Sequence, residues 1–168
     1  MDFLDVVFTR RSIRKFNSQK VSDENIETIL KAAMSAPSAH NEQPWEFLVI
    51  TERVVLDQIS KIHPYAQMCL QSPLVIVPCI DLSNEYKDFW VQDMSAATQN
   101  ILLCARALNL GAVWVGVYPN EHIINDIKRL FKLPEEIIPF NIIPIGYTDV
   151  PQKAVERYNL DKIHKNKW

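Results

Sequence analysis

The sequence predicts an α+β domain. Strand-like apolar runs alternate with segments of helical periodicity, and the chain opens on a helical pattern, which favours α+β over a doubly wound parallel fold. At 168 residues there is enough chain for one core. Four strands and about five helices are expected, in two or three layers. With no internal repeat, low-complexity tract or linker, residues 1–168 read as a single domain.

The elements follow in order. Phe3 to Thr9 reads as a short helix that delivers Arg10-Arg11-Ser12-Ile13-Arg14. Ser22 is placed as an N-cap, with Asp23 and Glu24 favouring the positive end of the helix behind it. Ile26, Ile29, Leu30 and Ala33 repeat at helical spacing, and Pro37 ends the helix near Ser35 by restricting Ala36. A polar loop, Ser38 to Gln43, lies between Pro37 and Pro44. Glu46 to Thr51 reads as a strand, Arg53 to Ile62 as a helix, and Pro73 to Ile80 as a buried strand. From about Lys87 to Leu108 one apolar stripe marks a long helix, which Gly111 is expected to terminate. Ala112 to Tyr118 is the next strand. Glu121 to Phe131 is a helix capped by Asn120, and Phe140 to Ile145 is the last strand. Beyond Gly146, large apolar side chains punctuate a polar tail suited to wrapping over a neighbouring chain.

Composition bounds the chemistry. A net charge of −2 gives no general attraction for nucleic acid, and no run approaches the length of a membrane span. The amino terminus lacks a secretion pattern, so a cytoplasmic protein is expected. Cys69, Cys79 and Cys104 are odd in number and have no CxxC spacing, so they read as reduced core thiols. The four histidines, His40, His63, His122 and His164, are too dispersed for a metal signature, and no metal site is expected. HExxH, GxSxG and Walker motifs are all absent. A cofactor-borne redox reaction that needs no protein nucleophile fits that pattern.

Two segments could carry binding. Arg10, Arg11 and Arg14, with the hydroxyl of Ser12, form either a solvated basic turn or a grip for an anion. Only three glycines are present, so a phosphate here would be held by guanidinium rather than by a glycine-rich loop. Pro37, Ser38, Ala39, His40, Asn41 and Gln43 form either a plain helix-to-strand connection or a rigid polar loop able to read the edge of a heteroaromatic ring. His40 reads as a contact or surface residue rather than a general base, because no carboxylate is paired with it.

Taken together, Arg10 to Phe16, Ala36 to Phe47, the long helix with Asp93 and Gln99-Asn100, Gly111 to Gly116, and Ile145-Gly146-Tyr147 resemble the short form of the nitroreductase family of FMN-dependent oxidoreductases. The resemblance spans essentially the whole chain. It implies a central mixed, mostly antiparallel sheet of four to five strands, flanked by helices and completed by a partner chain. It further implies a homodimer formed through the long helix and residues 147–168, with FMN at the interface. Arg10, Ser12 and Arg14 would meet the flavin phosphate and ring carbonyls, assisted by Arg11. Pro37, Ser38, Ala39 and Asn41 would line the isoalloxazine, mostly from the opposing subunit. Gly116 would let a main-chain amide reach the flavin nitrogen that carries hydride. Arg157 best matches the position that completes the phosphate site, whereas Lys153 stands further away than is usual. The implied activity is hydride transfer from NADH or NADPH to a small acceptor such as a nitroaromatic or quinone, with no catalytic side chain. A protein that binds, stores or senses flavin without turnover would use the same residues. Acceptor choice is expected around Tyr65 to Gln71 and Ser83 to Trp90.

Overall fold

The computed structural model of the chain describes residues 1–84 and 89–168. Five α-helices and six strands are found among these residues. They are α1 (Phe3–Thr9), α2 (Asp23–Met34), β1 (Trp45–Ile50), α3 (Arg53–Ile62), β2 (Leu74–Asp81), α4 (Trp90–Ala107), β3 (Gly111–Ala112), β4 (Val115–Gly116), α5 (Glu121–Phe131), β5 (Ile137–Pro139) and β6 (Asn141–Gly146). Lys87, where the long helix was expected to begin, and part of the Ser83 to Trp90 segment lie outside the described residues.

The local signals read from the sequence act as capping physics requires. Ser22 Oγ accepts from Asn25 N–H at 3.3 Å, and Asn120 Oδ1 accepts from Ile123 N–H at 3.3 Å. The terminator of α4 is Asn109 rather than Gly111. Asn109 takes the left-handed conformation (φ 59°), which Asn tolerates well, and Gly111 is already a sheet residue.

The strands form an open antiparallel sheet in the order β1-β2-β6-β3, with β4 also pairing β6 and β5 also pairing β2. One isolated parallel bridge joins Ser12 to Ala112. There are thus six strands where four to five were expected, for two reasons. Ile137–Pro139 pairs with the end of β2 as a separate short strand, its register one residue out of step with β6. The single strand expected at Ala112 to Tyr118 is split into β3 and β4, although Gly111↔Gly146, Ala112↔Ile145, Val115↔Ile142 and Gly116↔Asn141 follow one continuous register. The split falls opposite Pro144. Val113 N–H donates to the Pro144 carbonyl at 3.3 Å, but Pro144 has no N–H to return.

Helices cover both faces of the sheet. Leu74 and Ile76 of β2, with Ile143 and Ile145 of β6, pack with Ile29 and Ala33 of α2 and Ile101 and Ala105 of α4. The alternate residues Val75, Val77, Cys79 and Ile142 pack with Leu56 and Ile59 of α3 and Ile123, Ile124 and Ile127 of α5. Burial on both sides explains why β2 is a continuous apolar run rather than an alternating one. α1 stands apart. It buries only Val6 and leaves Phe3, Leu4 and Phe8 exposed, and it is tied to α4 by Arg106 Nε donating to Thr9 Oγ1 at 2.9 Å.

Candidate functional site

The arginine segment is held in place by the sheet. Ile13 N–H donates to Ala112 O at 3.0 Å and Asn17 N–H to Tyr147 O at 2.9 Å, while the Ile13 side chain is buried. Alternation along this stretch turns Ser12 and Arg14 outward, where both are exposed. Arg10 is half-buried at the end of α1. Burial lowers its pKa, and the nearby charges of Arg11 and then Arg157 lower it further. Arg11 donates from Nη1 to Arg10 O at 2.6 Å and from Nη2 to Phe8 O at 3.1 Å, so part of its fork is spent on its own backbone. A cavity of about 560 Å³ is lined by Val7, Phe8, Arg10, Arg11, Arg157 and Tyr158, among others. The tail therefore folds back to bring Arg157 to the arginine cluster. Lys153 is exposed and does not line this cavity.

Arg14 lines a second cavity, of about 380 Å³, together with His63, Tyr65, Met68, Trp114 and Gly116. Here the three glycines differ in a telling way. A Cβ on Gly111 would lie 2.6 Å from Ile13 Cγ2, and one on Gly146 would lie 2.7 Å from Pro73 Cδ, so the protein's own atoms demand glycine at both. A Cβ on Gly116 would meet nothing within 4 Å, and no glycine has positive φ. Neither packing nor backbone conformation requires glycine at 116; close approach by a ligand would.

The backbone of Gly116 faces that open side. Val117 N–H donates to Phe140 O at 3.2 Å, so by antiparallel alternation Gly116 and Asn141 form a non-hydrogen-bonded pair. Both polar groups of Gly116 then point away from β6. Its carbonyl meets His63 Nε2 at 2.8 Å, while His63 Nδ1 accepts from Tyr65 N–H at 3.1 Å. The ring proton is thereby assigned to Nε2. Sequence reasoning weighed His63 only as a metal ligand and missed this role, since its partner lies 53 residues away.

The proline-bounded loop lies apart from both cavities within this chain. Ser38 and Ala39 are half-buried, whereas Pro37, His40, Asn41 and Gln43 are exposed. A 3₁₀ turn spans Ala39–Asn41, and His40, Asn41 and Gln43 all adopt positive φ (51°, 59° and 52°). Such a run of left-handed non-glycine residues is costly and persists only where surrounding bonds enforce it. Asp93, buried in the first turn of α4, supplies one by accepting from Ala39 N–H at 3.0 Å; Ser38 Oγ supplies another by accepting from Gln43 N–H at 3.0 Å.

The sequence matches the family model described as the nitroreductase family over residues 7–66 and 61–147. The chain belongs to the nitroreductase family. A Methanothermobacter thermautotrophicus protein with the provisional name NADH dehydrogenase/NAD(P)H nitroreductase is 48% identical over all of this chain and 88% of its own length. An FMN-dependent nitroreductase from Clostridium difficile superposes with a TM-score of 0.91 at 31% identity, covering 98% of this chain and 99% of that one. A provisionally named nitroreductase of Desulfovibrio desulfuricans, solved in complex with FMN, superposes with a TM-score of 0.84 at 31% identity, covering 99% and 97%.

Within this nitroreductase fold, no described helix is long and apolar enough to cross a membrane, and no group of three or more His, Cys, Asp or Glu side chains among the described residues could hold a metal ion. Burial pushes the Cys69 and Cys79 thiols up to about 12, and the charge of Arg53 only partly opposes this at Cys69. Both stay protonated at neutral pH, so neither supplies a thiolate nucleophile.

Proposed function

We propose that this chain is an FMN-dependent NAD(P)H oxidoreductase that passes hydride from reduced nicotinamide, through bound flavin, to a small acceptor such as a nitroaromatic or quinone. The observation that carries the reading is Gly116: its side is open, its backbone polar groups are turned off the sheet, and Arg14 lines the same cavity. That arrangement fits a planar ring laid against main chain with a guanidinium at its polar edge. The gathering of Arg10, Arg11 and Arg157 fits a phosphate, which would offset their mutual repulsion. Arg10 and Arg14 lie on one extended stretch, so a single elongated ligand could meet both. FMN has that shape, and when bound it supplies a centre that accepts and releases a hydride.

In this reading the protein positions and shields. Ser12 and Arg14 donate to the ligand, and Gly116 admits the ring. Pro37, Ser38, Ala39, His40, Asn41 and Gln43, remote from both cavities in their own chain, serve the site of a second copy. The exposed apolar residues of α1 and of residues 147–168 form the dimer surface together with α4. Purified protein should carry flavin absorption bands, bleach anaerobically with NADH or NADPH, and recover colour on addition of a quinone or nitroaromatic. A flavin that stays oxidised with both donors would reduce the role to flavin binding. A colourless protein that also fails to take up added FMN would overturn the proposal.

A further inference from the structure

The geometry points to His63 as a positioning residue of the flavin site that acts through Gly116; this rests on the flavin reading above. His63 is only 3% exposed, yet it is polar and lies at the wall of the second cavity. Buried polar rings need partners, and both nitrogens of His63 have one. Tyr65 N–H fixes Nδ1 as the acceptor, and the proton left on Nε2 is donated to the Gly116 carbonyl.

The bond matters because of where it lands. Glycine has the widest backbone freedom of any residue, and β4 is only two residues long. At Gly116 the sheet itself offers no hydrogen bond, since the Gly116–Asn141 pair is the non-bonded kind. The ladder holds Gly116 only through its neighbours, Val115 paired with Ile142 and Val117 donating to Phe140 O, and leaves the Gly116 carbonyl without a restraint of its own. His63 supplies that restraint from the side opposite β6. In an extended residue the N–H and C=O point to the same side of the strand, so anchoring the carbonyl also aims the N–H into the cavity.

The chemistry selects the residue type. One group must accept at one end and donate at the other; neutral imidazole does both, whereas Lys and Arg only donate. The acceptor end is held by the backbone of Tyr65, a residue 77% exposed whose ring is centred 6.0 Å from that of His63. The loop expected to select the acceptor and the glycine expected to meet the flavin are thus joined through one side chain.

The test compares His63→Phe, which removes the donor, with His63→Gln, which retains both a donor and an acceptor. FMN affinity is read by fluorescence quenching, the flavin midpoint potential by dye equilibration, and melting temperature on the apo-protein. His63→Phe should weaken FMN about tenfold, the scale of one lost positioned hydrogen bond, and shift the potential. His63→Gln should stay within about twofold of wild type on the same scale, even though both variants melt lower than wild type. Equal loss in the two variants, in step with their melting temperatures, would make His63 merely structural and overturn the inference, as would unchanged affinity and potential in both. Failure of the wild-type chain to bind FMN would instead overturn the flavin reading and this inference with it.

Discussion

Ile13 occupies the space that a side chain on Gly111 would need: its Cγ2 lies 2.6 Å from where a Cβ would stand. The same residue donates from its N–H to Ala112 O, so the arginine segment is fastened to β3 by a bond and a packed side chain together. Gly111→Ala should push Ile13 outward at a cost of about 1–3 kcal/mol, the usual range for overpacking. Because Arg10 and Arg14 flank Ile13, FMN binding should fall as well. Chemical denaturation and flavin titration would check both. An alanine variant as stable as wild type would show that the segment shifts without strain.

Gly116→Ala should behave in the opposite way. No protein atom lies near the added methyl, and the backbone conformation suits any residue. Stability should hold or rise by up to about 1 kcal/mol, because alanine restricts the unfolded chain. FMN affinity should nevertheless drop by at least about tenfold, the scale of a displaced hydrogen bond. Full FMN affinity in this variant would remove Gly116 from the site.

These two glycines mark where sequence reading succeeds and where it stops. Helix boundaries were legible at Ser22 and Asn120 because a cap is a bond between residues three apart. The arginine cluster was legible as adjacent charge. The break between β3 and β4 was not, because it depends on Pro144 standing across the ladder, and β5 was missed as a three-residue strand that itself ends on Pro139. That Asn109 ends α4 while Gly111 makes room for Ile13 could be learned only from the folded pair. His63 was invisible as a site residue for the same reason: its partner is set by the tertiary approach of the His63–Met68 segment to β4.

The exposed apolar surface predicts association. Tyr158 and Leu160 are each 70% exposed and Trp168 98% exposed in the single chain, Phe3 and Phe8 of α1 are also uncovered, and Phe8 and Tyr158 line one cavity. Deleting residues 158–168 should shift the protein from dimer toward monomer in sedimentation equilibrium. A wild-type chain that sediments as a monomer would remove the dimer from the proposal.

Asp93 predicts how the strained loop is held. Its carboxylate accepts from Ala39 N–H just before three residues of positive φ. Asp93→Ala should cost about 1–3 kcal/mol by leaving a partly buried N–H unpaired. It should also speed proteolysis and amide exchange across residues 38–43 more than elsewhere. Uniform exchange change over the whole chain would indicate general destabilisation instead.

Arg157 tests the proposed phosphate end of the site. Burial, Arg11 and Arg157 together disfavour the charged form of Arg10, a repulsion that the proposed phosphate would offset. No carboxylate forms a salt bridge with any of them among the described residues; Glu156, which lines the same cavity, accepts from Tyr158 N–H at 2.7 Å. Arg157→Ala should therefore leave the apo-protein no less stable while weakening FMN about tenfold, the scale of a lost charge-assisted bond. Riboflavin, which lacks the phosphate, should bind both proteins alike. The preference of wild type for FMN over riboflavin should also shrink as salt screens the charge of Arg157, which is exposed. Equal losses for FMN and riboflavin would place Arg157 at the ring or in the fold rather than at the phosphate.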